Sequence, residues 1–138
     1  MCLAVYLATA EPLPNLARWA DTPTLNLGPI SQCEAGVQEK FSYPHLYYVG
    51  AHTGCSCGFS AGDPANAEAR AHTTSDLIAV LREVPGDAPF EIWVCWEGDE
   101  RKPVLTRLAF PLVDLATRTD WSEERTFSTV TLNSPGHG

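Results

Sequence analysis

Hydrophobic residues along the chain fall into runs that predict a sheet of about five strands. Residues 1–9 are apolar almost without alternation, which is typical of a central strand buried on both faces. Shorter runs predict strands over 45–51, 90–96 and 104–110, and the charged segment between the last two predicts a hairpin turn. Residues 125–132 alternate in polarity, and this pattern predicts an edge or half-exposed strand.

Two helices are predicted between the strands. Ser31 followed by Glu34 resembles a capping box and indicates a short helix that ends near Phe41. A second helix is predicted from Asp76 to Val84, with Thr74 or Ser75 as its N-cap. The Gly, Ala, Asp and Pro residues between 60 and 73 indicate an irregular connection before it. Another helical turn is expected over 111–116.

The order of these elements predicts a single α+β domain over residues 1–138. Its sheet should be mixed or mainly antiparallel, with about five strands and two helices, and residues 134–138 should form a flexible tail. On the third predicted strand, alternation places Trp93 and Cys95 on one face and Val94 and Trp96 on the other.

Composition and charge narrow the classes of function. Of the 138 residues 44% are hydrophobic and 19% charged, which is enough to build a core. Nine basic and seventeen acidic residues give a net charge of -8, which disfavours nucleic acid and anionic membranes as partners. The apolar start of the chain lacks the basic flank of a signal peptide, and no run is long enough to cross a bilayer, so a cytoplasmic location is expected.

The densest group of reactive side chains follows the strand predicted at 45–51. His52, Cys55 and Cys57 lie within six positions, and thiolate and imidazole are the ligands that zinc and copper(I) prefer. Residues two apart in an extended chain point the same way, so the two thiols can approach one ion. The sequence therefore predicts a zinc or copper(I) site in this loop.

Other cysteines could complete such a site. Cys2 and Cys95 lie in predicted strands that could neighbour the strand before the loop, which makes them candidate further ligands. Less constrained candidates are Cys33, His45 and His72. The opposing interpretation is that a lone cysteine among apolar strand residues is a small core side chain, and that Cys55 and Cys57 merely pack in a tight turn.

The same loop admits two further classes of function. Cys55 or Cys57 could act as a nucleophile or as a thiol redox pair, with His52 as base and Glu97 or Asp99 as the group that orients it. Alternatively, the glycine-rich loop and acidic surface could contact another protein without catalysis. Whether the chain is an enzyme stays open, and a metal ion or a small molecule is the expected ligand.

Three segments carry a resemblance to a group of short bacterial proteins with no assigned activity. They are residues 1–8, residues 47–59 and residues 95–99, and the middle one contains the shared pattern Gly-x-His-x-Gly-Cys-x-Cys-Gly-Phe. The resemblance implies a bacterial, cytosolic, single-domain protein and directs attention to the same cysteines.

Overall fold

A computed structural model describes residues 3–13, 26–30, 32–50, 67–96, 98–116 and 125–132. The strands are β1 (Leu3–Thr9), β2 (Asn26–Pro29), β3 (His45–Gly50), β4 (Phe90–Trp96), β5 (Thr106–Pro111) and β6 (Thr126–Thr131). The helices are the α-helix α1 (Ala67–Arg82) and the 3₁₀ helices η1 (Gln32–Lys40) and η2 (Leu112–Ala116). The predicted α+β class is confirmed: the described residues contain one mixed sheet of six strands, where about five were expected, and one α-helix with two 3₁₀ helices, where two helices were expected. The predicted tail at 134–138 lies outside the described residues.

The sheet has the order β2-β3-β1-β4-β6-β5, and β1 is one of its central strands. β1 pairs antiparallel with both β3 and β4, and all pairs are antiparallel except β5 with β6. Every described side chain of β1 from Ala4 to Thr9 is buried. The prediction of a central strand at the start of the chain is therefore confirmed, because an unbroken apolar run needs cover on both faces.

The two faces of the sheet carry separate cores. On one face α1 packs its apolar side against the sheet, and this first core includes Val5, Leu7, Tyr47, Val49, Leu77, Leu81, Ile92, Val94 and Val130. On the other face the second core consists of Ala4, Tyr6, Val37, Trp93, Cys95 and Phe127. Val37 belongs to η1, so this 3₁₀ helix covers the face opposite α1. The predicted alternation along β4 is confirmed, since Val94 and Trp96 face α1 while Trp93 and Cys95 face η1.

Helices occur at both predicted places, but one is longer than predicted and the other is a 3₁₀ helix. The helix expected at 76–84 begins at Ala67, so Thr74 and Ser75 are inside it and neither is its N-cap. The hydroxyl of Thr74 donates to the Arg70 carbonyl at 2.9 Å, a bond that satisfies a threonine within a helix. Alanine-rich residues 67–71 have a high intrinsic helix propensity, which explains the earlier start. The helix expected at 31–41 is the 3₁₀ helix η1, and the turn expected at 111–116 is η2.

Two strand predictions are corrected. β4 and β5 do not form a hairpin, because β6 lies between them and pairs antiparallel with β4 and parallel with β5. β6 is therefore an inner strand and not an edge strand. Burial explains the arrangement: β6 buries side chains on both faces, whereas most of β5 before Phe110 is exposed or half-buried, which suits the edge of the sheet.

Within the described ranges, no helix has the length and apolar character that crossing a membrane requires.

The first core predicts a large difference between two leucines. Leu81 is 0% exposed on α1, whereas Leu105 is 59% exposed before β5. We expect Leu81→Ala to lower the free energy of unfolding by about 2–5 kcal/mol, because it leaves a cavity. The control Leu105→Ala should change it by less than about 0.5 kcal/mol. Urea unfolding followed by circular dichroism measures both, and equal effects would contradict this description of the core.

Candidate functional site

The predicted metal ligands fall largely outside the described residues. His52, Cys55, Cys57 and Cys2 all lie there, and Cys95 is the member of the predicted set that the structure describes. Among the residues that are described, no group of three or more His, Cys, Asp or Glu side chains is arranged to hold a metal ion. The metal site in the 52–57 loop therefore stays a prediction.

The strand topology defines the end of the sheet at which the cysteine loop begins. β3 ends at Gly50, immediately before the loop in the sequence. β1 runs antiparallel to β3 and to β4, with Tyr6 paired to Tyr48 and Ala4 paired to Cys95. The end of β3, the beginning of β1 and the end of β4 consequently share one end of the sheet. Since neighbouring strands are about 4.8 Å apart, the axes of β3 and β4 are separated there by about 10 Å.

Cys95 is a free thiol with no access to solvent. Its side chain is 0% exposed and belongs to the second core beside Ala4 and Trp93. Burial raises the pKa of the Cys95 thiol to about 12, and the carboxylates of Glu100 and Asp99 add to the rise. These surroundings are those of a packed core cysteine, and they oppose the thiolate that metal binding or nucleophilic attack requires.

Two neighbours of Cys95 act in the opposite direction. The ammonium of Lys40 and the nearby indole N–H of Trp93 each lower the pKa of the thiol, because each favours the thiolate, although their effect is smaller than that of burial. The indole Nε1 of Trp93 is buried and has no hydrogen-bond partner in the described part of the chain. A thiolate at Cys95 would be a better acceptor for this N–H than the neutral thiol is. Trp93 itself is completely buried, so it packs in the core and does not line an open pocket.

Lys40 was not anticipated from the sequence. Its Nζ lies 4.5 Å from the centroid of the Trp93 ring and donates a hydrogen bond to the Lys102 carbonyl. These contacts tie the last residue of η1 to β4 and to the turn after β4. The signal that could have identified Lys40 is its position in the last turn of a helix, where a cation also interacts favourably with the helix dipole.

The acidic turn after β4 is internally paired. Asp99 forms an ion pair with Lys102, with 3.1 Å between carboxylate oxygen and Nζ. The two carboxylate oxygens of Glu100 accept the Gly98 backbone N–H at 2.8 and 3.0 Å. Asp99, one of the two carboxylates considered as the group that orients His52, thus has a partner of its own. Glu97, the other, lies outside the described residues.

Two of the less constrained candidate ligands, His45 and His72, are separated from that end of the sheet or lack a ligand-like setting. His45 begins β3 and pairs with Thr9, at the opposite end of the strand from Gly50. His72 is on the exposed side of α1, 4.0 Å from Glu68. Cys33 belongs to η1.

The burial of Cys95 predicts low chemical reactivity. We expect iodoacetamide at about pH 8 to leave Cys95 unmodified in the native protein and to modify it in urea, because a buried thiol with a pKa of about 12 supplies almost no thiolate. Peptide mass mapping distinguishes Cys95 from the other four cysteines. Modification of native Cys95 as fast as that of the unfolded chain would contradict its placement.

The same raised pKa predicts a loss of stability at high pH. The thiol has an ordinary pKa of 9.0 when unfolded and about 12 when folded, so the neutral thiol's contribution is complete below 9.0 and is lost as the pH rises toward 12. The stability of the wild type should therefore fall relative to that of Cys95→Ala between about pH 8 and about pH 11. Urea unfolding at both pH values tests this, and a constant difference would contradict it.

Comparisons of the chain with protein families, with curated proteins and with solved structures gave no match. The residues and the geometry of the chain itself are therefore the basis for assigning a function.

Proposed function

We propose that this chain binds a thiophilic metal ion, zinc or copper(I), through the thiolates of Cys55 and Cys57, with the imidazole of His52 as a third donor. The observation that carries the proposal is the shared sheet end: β3 leads into the ligand loop at the place where β1 begins and β4 ends. A loop anchored there starts from a rigid, hydrogen-bonded sheet.

The same topology supports Cys2 as the fourth donor. Cys2 directly precedes Leu3, the first residue of β1, and β1 is the neighbour of β3 in the sheet. A ligand before β1 and a ligand pair after β3 come from segments that are far apart in sequence but leave the sheet from adjacent strands. Such an ion would join the two segments and stabilise this end of the fold.

Cys95 is the weaker of the two candidates for the fourth position. It faces the second core, where apolar neighbours surround it, and its raised thiol pKa makes deprotonation costly. The packing interpretation accounts for all of these features without an ion. We therefore assign Cys95 to the core and Cys2 to the site.

The number of protein donors decides what the ion can do. Four donors give a closed tetrahedral centre of the structural type, whereas three leave one position for a water molecule. With Cys2 as the fourth donor, the proposed centre is of the closed type, and its role is metal retention together with stabilisation of the loop.

Metal analysis of the purified protein tests the proposal. We expect protein prepared without added metal to contain about one equivalent of zinc or copper, and the Cys55→Ser, Cys57→Ser double variant to contain less than about a tenth of that, because serine does not replace a thiolate for these ions. Two matched controls, Cys33→Ser and Cys95→Ala, should retain the metal. Elemental analysis by mass spectrometry gives the content directly.

Thiol labelling separates this proposal from the alternatives. Bound metal should protect Cys55 and Cys57 from iodoacetamide at mildly acidic pH, and a chelator should remove the protection. Negligible metal in both the wild type and the double variant would refute the proposal. A single thiol that reacts rapidly without a chelator would then favour the cysteine enzyme or thiol redox protein.

A further inference from the structure

A row of three side chains crosses the sheet on the face opposite α1. Trp93 of β4 pairs with Phe127 of β6, and Phe127 pairs with Arg107 of β5. Residues paired in this way point to the same face, and each step across the sheet is about 4.8 Å. The row therefore consists of two aromatic rings followed by a guanidinium at the edge strand.

Each ring in this row has a cation above it. Lys40 Nζ lies 4.5 Å from the centroid of the Trp93 ring, and the guanidinium carbon of Arg107 lies 5.3 Å from the centroid of the Phe127 ring. The rings are almost fully buried, whereas Arg107 is exposed and Lys40 is half-buried. Cation–π contact holds each positive group over its own ring. Lys40 also donates one hydrogen bond to the Lys102 carbonyl, but an ammonium has three donors and a guanidinium five, so both groups can still donate to a ligand.

A third cation occupies a strained position at the start of β6. Arg125 has a φ of 56°, the left-handed region that residues with a side chain rarely adopt. Its carbonyl accepts the backbone N–H groups of Leu105 at 2.9 Å and Thr106 at 3.3 Å, which fixes this conformation where β5 and β6 begin to pair. A strained non-glycine residue held by its surroundings is often found at a functional site.

These three cations lack close counter-ions in the described ranges. The ion pairs within 4.0 Å found there join His72 to Glu68 and Lys102 to Asp99. Asp99 is thus already paired, and Glu100 accepts backbone hydrogen bonds in its own turn.

Lys40 lies among charged groups of both signs. Burial lowers the pKa of Lys40 most, and the positive charges of Arg125 and Arg107 lower it further. The thiolate form of Cys95 and the carboxylate of Glu39 act in the opposite sense. Lys40 is therefore within Coulombic range of both arginines. Backbone geometry relates the two arginines to each other, because the Arg125 carbonyl accepts the N–H of Thr106, the residue before Arg107.

We propose that Lys40, Arg107 and Arg125 form a binding site for a phosphate group, carried either by inorganic phosphate or by a small phosphate monoester. Guanidinium groups present paired N–H donors that match phosphate oxygens, and an ammonium adds a compact charge. Three of the nine basic residues of a chain with a net charge of -8 are gathered here. The net charge of the chain opposes anion binding in general, so binding here would depend on these three groups.

Isothermal titration calorimetry at low ionic strength tests the site, with inorganic phosphate in one series and O-phosphoserine in another. Binding in either series supports the proposal, and the tighter ligand identifies the source of the phosphate. Arg107→Gln and Arg125→Gly should each weaken binding by roughly tenfold or more, since each removes a charge-assisted hydrogen bond. Glycine tolerates the positive φ at position 125, so this variant removes the cation without adding backbone strain.

Arg82→Gln, which removes an exposed arginine from the end of α1, is the matched control and should bind like the wild type. Thermal unfolding of each variant establishes that it is folded. Absence of binding by the wild type in both series would overturn the proposal. So would unchanged binding by Arg107→Gln and Arg125→Gly, or an equal loss in Arg82→Gln, which would indicate a diffuse charge effect.

Discussion

The rest of the structure depends on the pairing of β1 with strands on both of its sides. β1 joins β3 to β4 and buries its side chains on both faces, so it contributes to the core under α1 and to the core under η1. Alternate side chains of β1 point to opposite faces of the sheet: Val5 and Leu7 face α1, whereas Ala4 and Tyr6 face η1. The same pairing places the beginning of β1 beside the ends of β3 and β4, and so determines which chain segments can meet there.

The parts of the fold that local pattern encodes could be predicted from the sequence. The apolar run of β1 indicated a central strand, and alternation along β4 separated Trp93 and Cys95 from Val94 and Trp96 correctly.

Pairing between distant strands could not be predicted in this way. The short connection between β4 and β5 favoured a hairpin, but the burial of β6 on both faces gives it the inner position. The start of α1 was missed because Thr74 and Ser75 resemble N-caps, although within the helix the hydroxyl of Thr74 donates to the Arg70 carbonyl four residues earlier.

The two candidate sites differ in how the sequence encodes them. The thiols and imidazole of residues 52–57 are close in sequence, so composition alone directs attention to them. The cations Lys40, Arg107 and Arg125 come from three separate elements. The register Trp93–Phe127–Arg107 relates the first two, and the backbone bonds to the Arg125 carbonyl relate the third. Of the predicted metal donors, Cys95 is the one described, and its burial could be anticipated from the apolar strand around it. The rise in its pKa also depends on Glu100 and Asp99, which the following turn brings near.

The parallel pairing of β5 with β6 has a consequence for the order in which the chain can assemble. β4 and β5 are both made on the ribosome before β6, yet β6 is the strand that joins them. Until it emerges, one side of β4 has an open row of backbone donors and acceptors, and β5 has no sheet neighbour to pair with. Of the described strands, β2, β3, β1 and β4 are the ones that can pair into a sheet at that stage. An unpaired strand edge of this kind is a place where contact with other chains can compete with correct folding.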